Sequence, residues 1–179
     1  MEKDLTKQIM ATHIPFYEDY TDKYKLTRPI YLQTPMITTR MANIQGTKKK
    51  VVIKRYKKNR MNEFDFFREI YILKTLSHPN IVKIFDYFQT DKGYFIIYEY
   101  FDGLPILEFY DNNKGNFTIG IIKKFMYELL LTIKYIHGKG IMHRNIDPRY
   151  LLFDGTNFVL VGFGKAALFD HQALQKNKN

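Results

Sequence analysis

The chain contains no cysteine, which excludes disulfide bonds and thiolate metal ligands but leaves the redox compartment open. Its five histidines are scattered without metal-ligand spacing, so we expect no metal site. It has no run of roughly eighteen apolar residues, and Glu2 and Asp4 lie where a signal peptide would be basic and apolar. We therefore expect a cytoplasmic protein with no membrane segment.

Acidic side chains are scarce relative to basic ones. The sequence has 18 Asp and Glu against 28 Lys and Arg, a formal net charge of +10. This excess favours acidic partners, for example RNA or an acidic cytoskeletal lattice. Many basic residues fall in one short span: Lys48, Lys49, Lys50, Lys54, Arg55, Lys57, Lys58 and Arg60. The span is either a solvated hairpin around one strand or a dedicated site for a polyanion.

The first half of the chain alternates between β-rich and helical patterns. Residues 1–22 have no clear period and are expected to dock or fray. Three antiparallel strands are then predicted in "YKLTRPIYLQ", "PMITTRMANIQ" and "KKVVIKRYK". Apolar residues at helical intervals predict a helix over Asn62–Leu76, with Asn62 as N-cap. A hairpin turning at "TDKG" should follow, formed by "IVKIFDYFQT" and "KGYFIIYEYF".

The second half is predicted to be mainly helical at first. "DNNKGN" has the composition of a loop, and Phe117–His137 carries the longest helical pattern, ended by Gly138 and Gly140. A tight hairpin is predicted to turn at Asp154-Gly155. The remaining tail should form a short helix or fray.

Several motifs of this sequence, in the order in which a eukaryotic protein kinase carries its own, resemble that family. "VVIK" is similar to the strand that carries the kinase lysine, "FFREIYILKTLSHPNIVKIFDYF" to helix C and the next strand, and "FIIYEYFDG" to the hinge. "HRNIDPRYLLF" resembles the catalytic loop, and "VGFGKA" the D-F-G segment. Among kinases, the segment "EIYILKTLSHPNIVKIFDYF" most resembles the calcium- and calmodulin-type enzymes.

The resemblance implies an α+β kinase-like fold and a set of retained structural residues. The expected divisions are an extension (1–22), an N-lobe with five strands and one helix (23–98), a C-lobe (99–167) and a tail (168–179). Lys54 and Glu69 would form the family's ion pair. The hinge would comprise Tyr98, Glu99, Tyr100 and Phe101. The hydrophobic column of the fold would comprise Leu73, Ile84, His143 and Phe163.

The residues that the family uses for phosphoryl transfer are exchanged. Asn145 replaces the catalytic base and cannot accept a proton, and Asp147 replaces a lysine. Tyr150 and Gly162 replace the two magnesium ligands. The phosphate-covering loop maps onto "QTPMIT", which has no glycine. On these residues we expect no catalytic group and no enzymatic activity, with metal-free ATP binding at Lys54 left open.

The chain also stops soon after "GFG", before the A-P-E motif and the later helices of a kinase C-lobe. We therefore expect a truncated C-lobe with no shelf for a peptide substrate. Leu130, Leu131 and Ile133 on the long helix would then need a protein partner to cover them.

These observations favour a pseudokinase that serves as a structural or adaptor subunit of a larger assembly. A nucleotide-binding regulatory pseudokinase that acts allosterically on a partner is one alternative. A basic protein that binds RNA or the cytoskeleton is another. The expected location is the cytoplasm, at the cytoskeleton or cilium.

Overall fold

The computed structural model describes residues 2–30, 34–58, 63–114 and 117–169, without the side chains of residues 2–5. The described chain divides into two compact units. One contains the residues up to Tyr71 together with Lys83–Tyr100, and the other contains Ile72–Val82 together with the residues from Phe101 onward. Within the described ranges, no helix is both long enough and apolar enough to cross a membrane.

An antiparallel sheet of five strands forms the first unit, in the order β1-β2-β3-β5-β4. Its strands are β1 (Tyr24–Pro29), β2 (Ile37–Ile44), β3 (Lys50–Lys57), β4 (Ile84–Thr90) and β5 (Gly93–Glu99). Helix α2 (Glu63–Thr75) covers one face, where Phe66 packs against Tyr56 and Tyr94. The predicted α+β fold with five strands and one helix is confirmed. The expected N-cap, Asn62, lies outside the described residues.

The opposite face of the sheet is covered by the N-terminal segment, which we define as residues 11–23. Tyr17 and Tyr20 pack on Phe88 there, with ring centroids 4.9 and 5.4 Å apart. The segment also adds a short parallel bridge to β4. The Tyr17 N–H donates to the Gln89 carbonyl (2.9 Å), and the Gln89 N–H donates to the Pro15 carbonyl (2.8 Å). A short helix, α1 (Glu2–Met10), precedes the segment and was not predicted.

The second unit is built around α4 (Ile119–Gly138), the longest helix of the described chain. Its N-cap is Thr118, whose hydroxyl accepts from the Ile121 N–H, so the helix begins two residues after the predicted start at Phe117. Phe125 lies on its buried side and packs edge-on against Phe158, at 5.0 Å between centroids.

Smaller elements complete this unit. They are β6 (Leu104–Pro105), α3 (Ile106–Asn112), β7 (Ile141–Met142), β8 (Leu151–Phe153), β9 (Phe158–Leu160) and β10 (Ala167–Leu168), with 3₁₀ turns at Pro148–Tyr150 and Phe163–Lys165. The predicted hairpin is present as β8 and β9. The predicted loop "DNNKGN" was partly wrong, because its first two residues end α3.

Candidate functional site

The candidate position of the first unit is a buried carboxylate on α2. Glu69 is 2% exposed, and its Oε2 lies 2.7 Å from the Lys54 ammonium of β3. The sequence places both residues by motif. The antiparallel pairing of β3 with β5 puts Lys54 in the centre of the sheet, and α2 carries Glu69 over it.

Two tyrosines share the same carboxylate. The Tyr98 hydroxyl donates to Glu69 Oε1 at 2.9 Å, and the Tyr56 hydroxyl donates to Oε2. Burial raises the pKa of both phenols well above 10, and the charge of Glu69 raises it further. Both phenols therefore stay protonated and act as donors at neutral pH. Because three donors converge on Glu69, its desolvated charge is compensated.

Tyr98 was assigned to the hinge, and its hydrogen bond to Glu69 was not expected. Its hydroxyl reaches α2, while Glu99 is exposed and Tyr100 is half-buried beside the Lys50 ammonium, 5.3 Å from the ring centroid. Phe101 belongs to the second unit and is half-buried. Tyr56 was missed by sequence reasoning. Its place two residues after Lys54, on the same face of a strand, was the available signal.

The second unit holds the positions where the resemblance puts magnesium ligands, Tyr150 and Gly162. Gly162 has φ +84°, and a Cβ built there would overlap the ring of Tyr150. The ring thus occupies the volume in which a side chain at position 162 would begin. A phenol and a glycine supply no carboxylate oxygen, so this pair does not fit magnesium. Within the described ranges, no group of three or more His, Asp or Glu side chains is arranged to hold a metal ion.

Asp147 is engaged by its own neighbour. It accepts from the Arg149 backbone N–H at 2.9 Å and from the guanidinium Nε and Nη2 at 2.8 and 3.0 Å. The hydrogen bonds from the Arg149 side chain are the main reason that the pKa of Asp147 falls to about 2. This carboxylate is therefore ionised and paired at neutral pH. Arg149 was not singled out from the sequence.

The retained loop residues fix the backbone around Asn145. His143 is buried, its Nε2 lies 3.0 Å from the Val161 carbonyl, and its Nδ1 accepts from the Asn145 N–H at 3.2 Å. Its ring packs edge-on against Phe163 at 4.6 Å. Of the other residues assigned to the hydrophobic column, Leu73 is buried in the second unit and Ile84 is half-buried in the first.

The candidate interface residues are spread over the molecule. Lys48, Lys49 and Lys50 lie at the start of β3, where Lys49 contacts the Phe85 ring at 4.4 Å, whereas Lys57 and Lys58 lie at the other end of that strand. Arg60 lies outside the described residues. On α4, Leu130 and Leu131 are exposed, whereas Ile133 is half-buried.

Comparison with known proteins identifies the family. The model of the protein kinase domain matches residues 38–178, so the chain belongs to the protein kinase family. It is 30% identical over 162 residues to "CBL-interacting serine/threonine-protein kinase 16" of Arabidopsis thaliana, covering 86% of this chain and 34% of that protein. It is 26% identical over 129 residues to "Probable serine/threonine-protein kinase 2" of Plasmodium falciparum (isolate K1 / Thailand), covering 70% and 25%.

These findings confirm the resemblance but correct one expectation. The prediction that the chain is no enzyme was wrong, because its family and both relatives are named as protein kinases, which points to an enzyme. The prediction rested on four exchanged positions and on the glycine-free loop "QTPMIT". The chain spans about a third and a quarter of the length of these two relatives, so the activity of the whole protein is a matter for proposal.

Replacing Tyr98 with Phe should lower the free energy of unfolding by about 1.5–3 kcal/mol, because a buried hydrogen bond to a charged carboxylate is lost. Tyr94→Phe is the matched control, since its hydroxyl also donates to a carboxylate of α2, that of the exposed Glu63. We expect a smaller loss there, about 0.5–1 kcal/mol. Urea denaturation at pH 7 measures both, and equal losses would contradict the special role of Glu69.

The stability of the wild type and that of Tyr98→Phe should also depend differently on pH. Because the pKa of Tyr98 is raised in the folded state, the unfolded chain ionises first as pH rises above 10. The stabilisation is complete below pH 10 and declines above it, by up to about 1.4 kcal/mol per pH unit for each such tyrosine. The wild type should therefore lose stability more steeply than Tyr98→Phe above pH 10.

Gly162→Ala should destabilise the protein by about 2–4 kcal/mol, from the positive φ and the overlap with the Tyr150 ring. The control Gly138→Ala, where nothing lies within 4 Å, should change stability by less than about 1 kcal/mol. Thermal or urea denaturation gives both values. The double variant Tyr150→Ala/Gly162→Ala should cost less than the sum of its single changes, and strict additivity would show that the ring and position 162 do not compete for space.

Proposed function

We propose that this protein of the kinase family serves as a structural or adaptor subunit and docks a protein partner on α4. One observation carries the proposal, an exposed apolar stripe on that helix. The stripe consists of Ile119, Ile122, Met126, Tyr127, Leu130 and Leu131, of which Ile119, Tyr127 and Leu130 are 68%, 65% and 60% exposed.

The spacing of the stripe is that of one helix face. Its members recur at three- and four-residue intervals over thirteen residues. The buried residues Phe125, Leu129, Thr132 and Ile136 lie on the other side of the same helix. A helix with apolar residues all round is expected to be buried on both sides. Because one side of α4 is exposed in this chain, a partner is expected to cover it, and contiguous exposed apolar surface marks such an interface.

The charges beside the stripe favour an acidic partner. Lys123 and Lys134 are exposed on the same side of α4. The one acid of the helix, Glu128, is half-buried and lies 3.8 Å from Lys124. A partner with apolar side chains flanked by Asp or Glu would therefore complement this surface.

The assembly that we propose is cytoplasmic, at the cytoskeleton or the cilium. The basic residues at the start of β3 would face its acidic component. Lys48, Lys49 and Lys50 are exposed, and none of them forms an ion pair within the described part of the chain.

The double substitution Tyr127→Glu/Leu130→Glu should release the protein from its assembly. Burying two such side chains contributes about 3 kcal/mol or more, so binding should weaken by roughly 100-fold or more. Tagged wild type and variant are compared by gradient sedimentation of gently prepared extract of the source cells. The wild type should migrate in a large particle and the variant near the mass of the tagged chain alone.

Leu107→Glu on α3 is the control, because Leu107 is 58% exposed but lies outside the stripe. It should migrate with the wild type, and thermal melts should show that both variants are folded. Migration of the wild type near its own mass, or release of both variants alike, would exclude docking through the stripe.

Phosphoryl transfer is a second candidate, favoured by the buried Lys54–Glu69 pair and the names of the relatives. With labelled ATP, magnesium and a general Ser/Thr protein substrate, Lys54→Met should reduce incorporation to background. Lys57→Met on the same strand should not. Wild-type incorporation no higher than that of Lys54→Met would remove this candidate.

A further inference from the structure

Two arginines on the face of the sheet opposite α2 have no acidic partner among the described residues. Arg40 donates to the Thr27 carbonyl at 2.8 Å, and Arg55 donates to the Lys92 carbonyl at 2.6 Å. Neither forms an ion pair within the described ranges. Each guanidinium has five N–H donors, so both keep donors for an anion.

Strand register brings the two arginines together. Thr38 is opposite Arg55, and Arg40 is opposite Ile53, in the pairing of β2 with β3. The two side chains are thus diagonal neighbours on one face of the sheet. The Arg55 Nε is buried and has no hydrogen-bond partner, so its charge is incompletely compensated.

The N-terminal segment places Tyr20 beside these arginines. The Tyr20 ring packs on Phe95 at 4.8 Å, and the Arg55 guanidinium lies 5.9 Å from the same Phe95 ring. Burial raises the pKa of the Tyr20 hydroxyl and the charge of Asp19 adds to the rise, whereas the charges of Arg55 and Arg40 oppose it.

We propose that Tyr20 is a phosphorylation site whose phosphate is held by Arg40 and Arg55. A protein-tyrosine kinase would supply the group from ATP. The phenol oxygen bonds to the γ-phosphorus, the bond from that phosphorus to ADP breaks, and the phenol proton passes to solvent. The product carries a charge of about −1.5 to −2 and three acceptor oxygens, which guanidinium donors bind as charge-assisted hydrogen bonds.

The Tyr20 side chain is half-buried, so part of it is accessible to a modifying enzyme. The segment is joined to β4 by two backbone hydrogen bonds, by the Gln89 side-chain amide on the Ile14 carbonyl and by the ion pair of Lys23 with Asp86. The preceding Asp19 is occupied locally, since its carboxylate accepts from the Tyr20 and Thr21 N–H groups and from the Thr21 hydroxyl. A phosphate at Tyr20 would add a further point of attachment and hold the segment more firmly on the sheet.

Phosphotyrosine installed genetically at position 20 of the full chain tests the clamp. The thermal midpoint should rise by at least about 3 °C, and exchange of the Gln89 amide, which donates to Pro15, should slow about tenfold. In the Arg40→Gln/Arg55→Gln background the same modification should give no rise. Each modified protein is compared with its own unmodified form, so the effect of the substitutions on folding cancels.

Phosphotyrosine at position 17 is the matched control. Tyr17 lies on the same segment and packs on Phe88, and we expect no rise there. An equal rise at both positions, a rise that survives the double arginine substitution, or no rise at position 20 would overturn the proposal. Failure of a tyrosine kinase domain to modify Tyr20 in the folded chain, detected by mass spectrometry, would overturn it as well. These outcomes do not depend on docking through α4.

Discussion

The first unit depends on the interaction of the buried Glu69 carboxylate with three donors from the sheet. A charge at this depth is tolerated only when its neighbours compensate the loss of water, and here one ammonium and two phenols do so. Lys54, Tyr56 and Tyr98 come from two adjacent strands, whereas Glu69 comes from the helix. The polar cluster therefore fixes where α2 lies on the sheet, while Phe66 and its aromatic neighbours supply the apolar packing.

In the second unit, the contact between Tyr150 and Gly162 depends on shape rather than on charge. The ring of Tyr150 and the absent side chain of Gly162 are complementary, and the left-handed backbone at Gly162 suits that residue. Nearby, His143 bonds to the Val161 carbonyl and packs on Phe163. The loop conformation is held by this hydrogen bond to a backbone carbonyl and by this ring contact.

Much of the fold was predictable, because the sequence has long segments with periodic apolar residues and also has kinase-like motifs. The five strands, α2 and the β8-β9 hairpin follow from alternation, helical spacing and an Asp-Gly turn. Helix α1 was missed because its nine residues contain only three apolar ones, Leu5, Ile9 and Met10, which are too few to establish a period. Within the site, Lys54 and Glu69 follow from motif. The tyrosine contacts and the pairing of Asp147 with Arg149 depend on register and rotamers, which a single sequence does not encode in a readable way.

The contact of the N-terminal segment with β4 has a consequence for association between copies of the protein. An open sheet has two edges, and unpaired edge strands are templates for the addition of foreign strands. Residues 15–17 occupy part of the β4 edge, and the β1 edge carries Lys25, Arg28 and Pro29, which are poor pairing residues. The sheet is thereby protected against edge-to-edge aggregation at both sides, and loss of the segment would expose one of them.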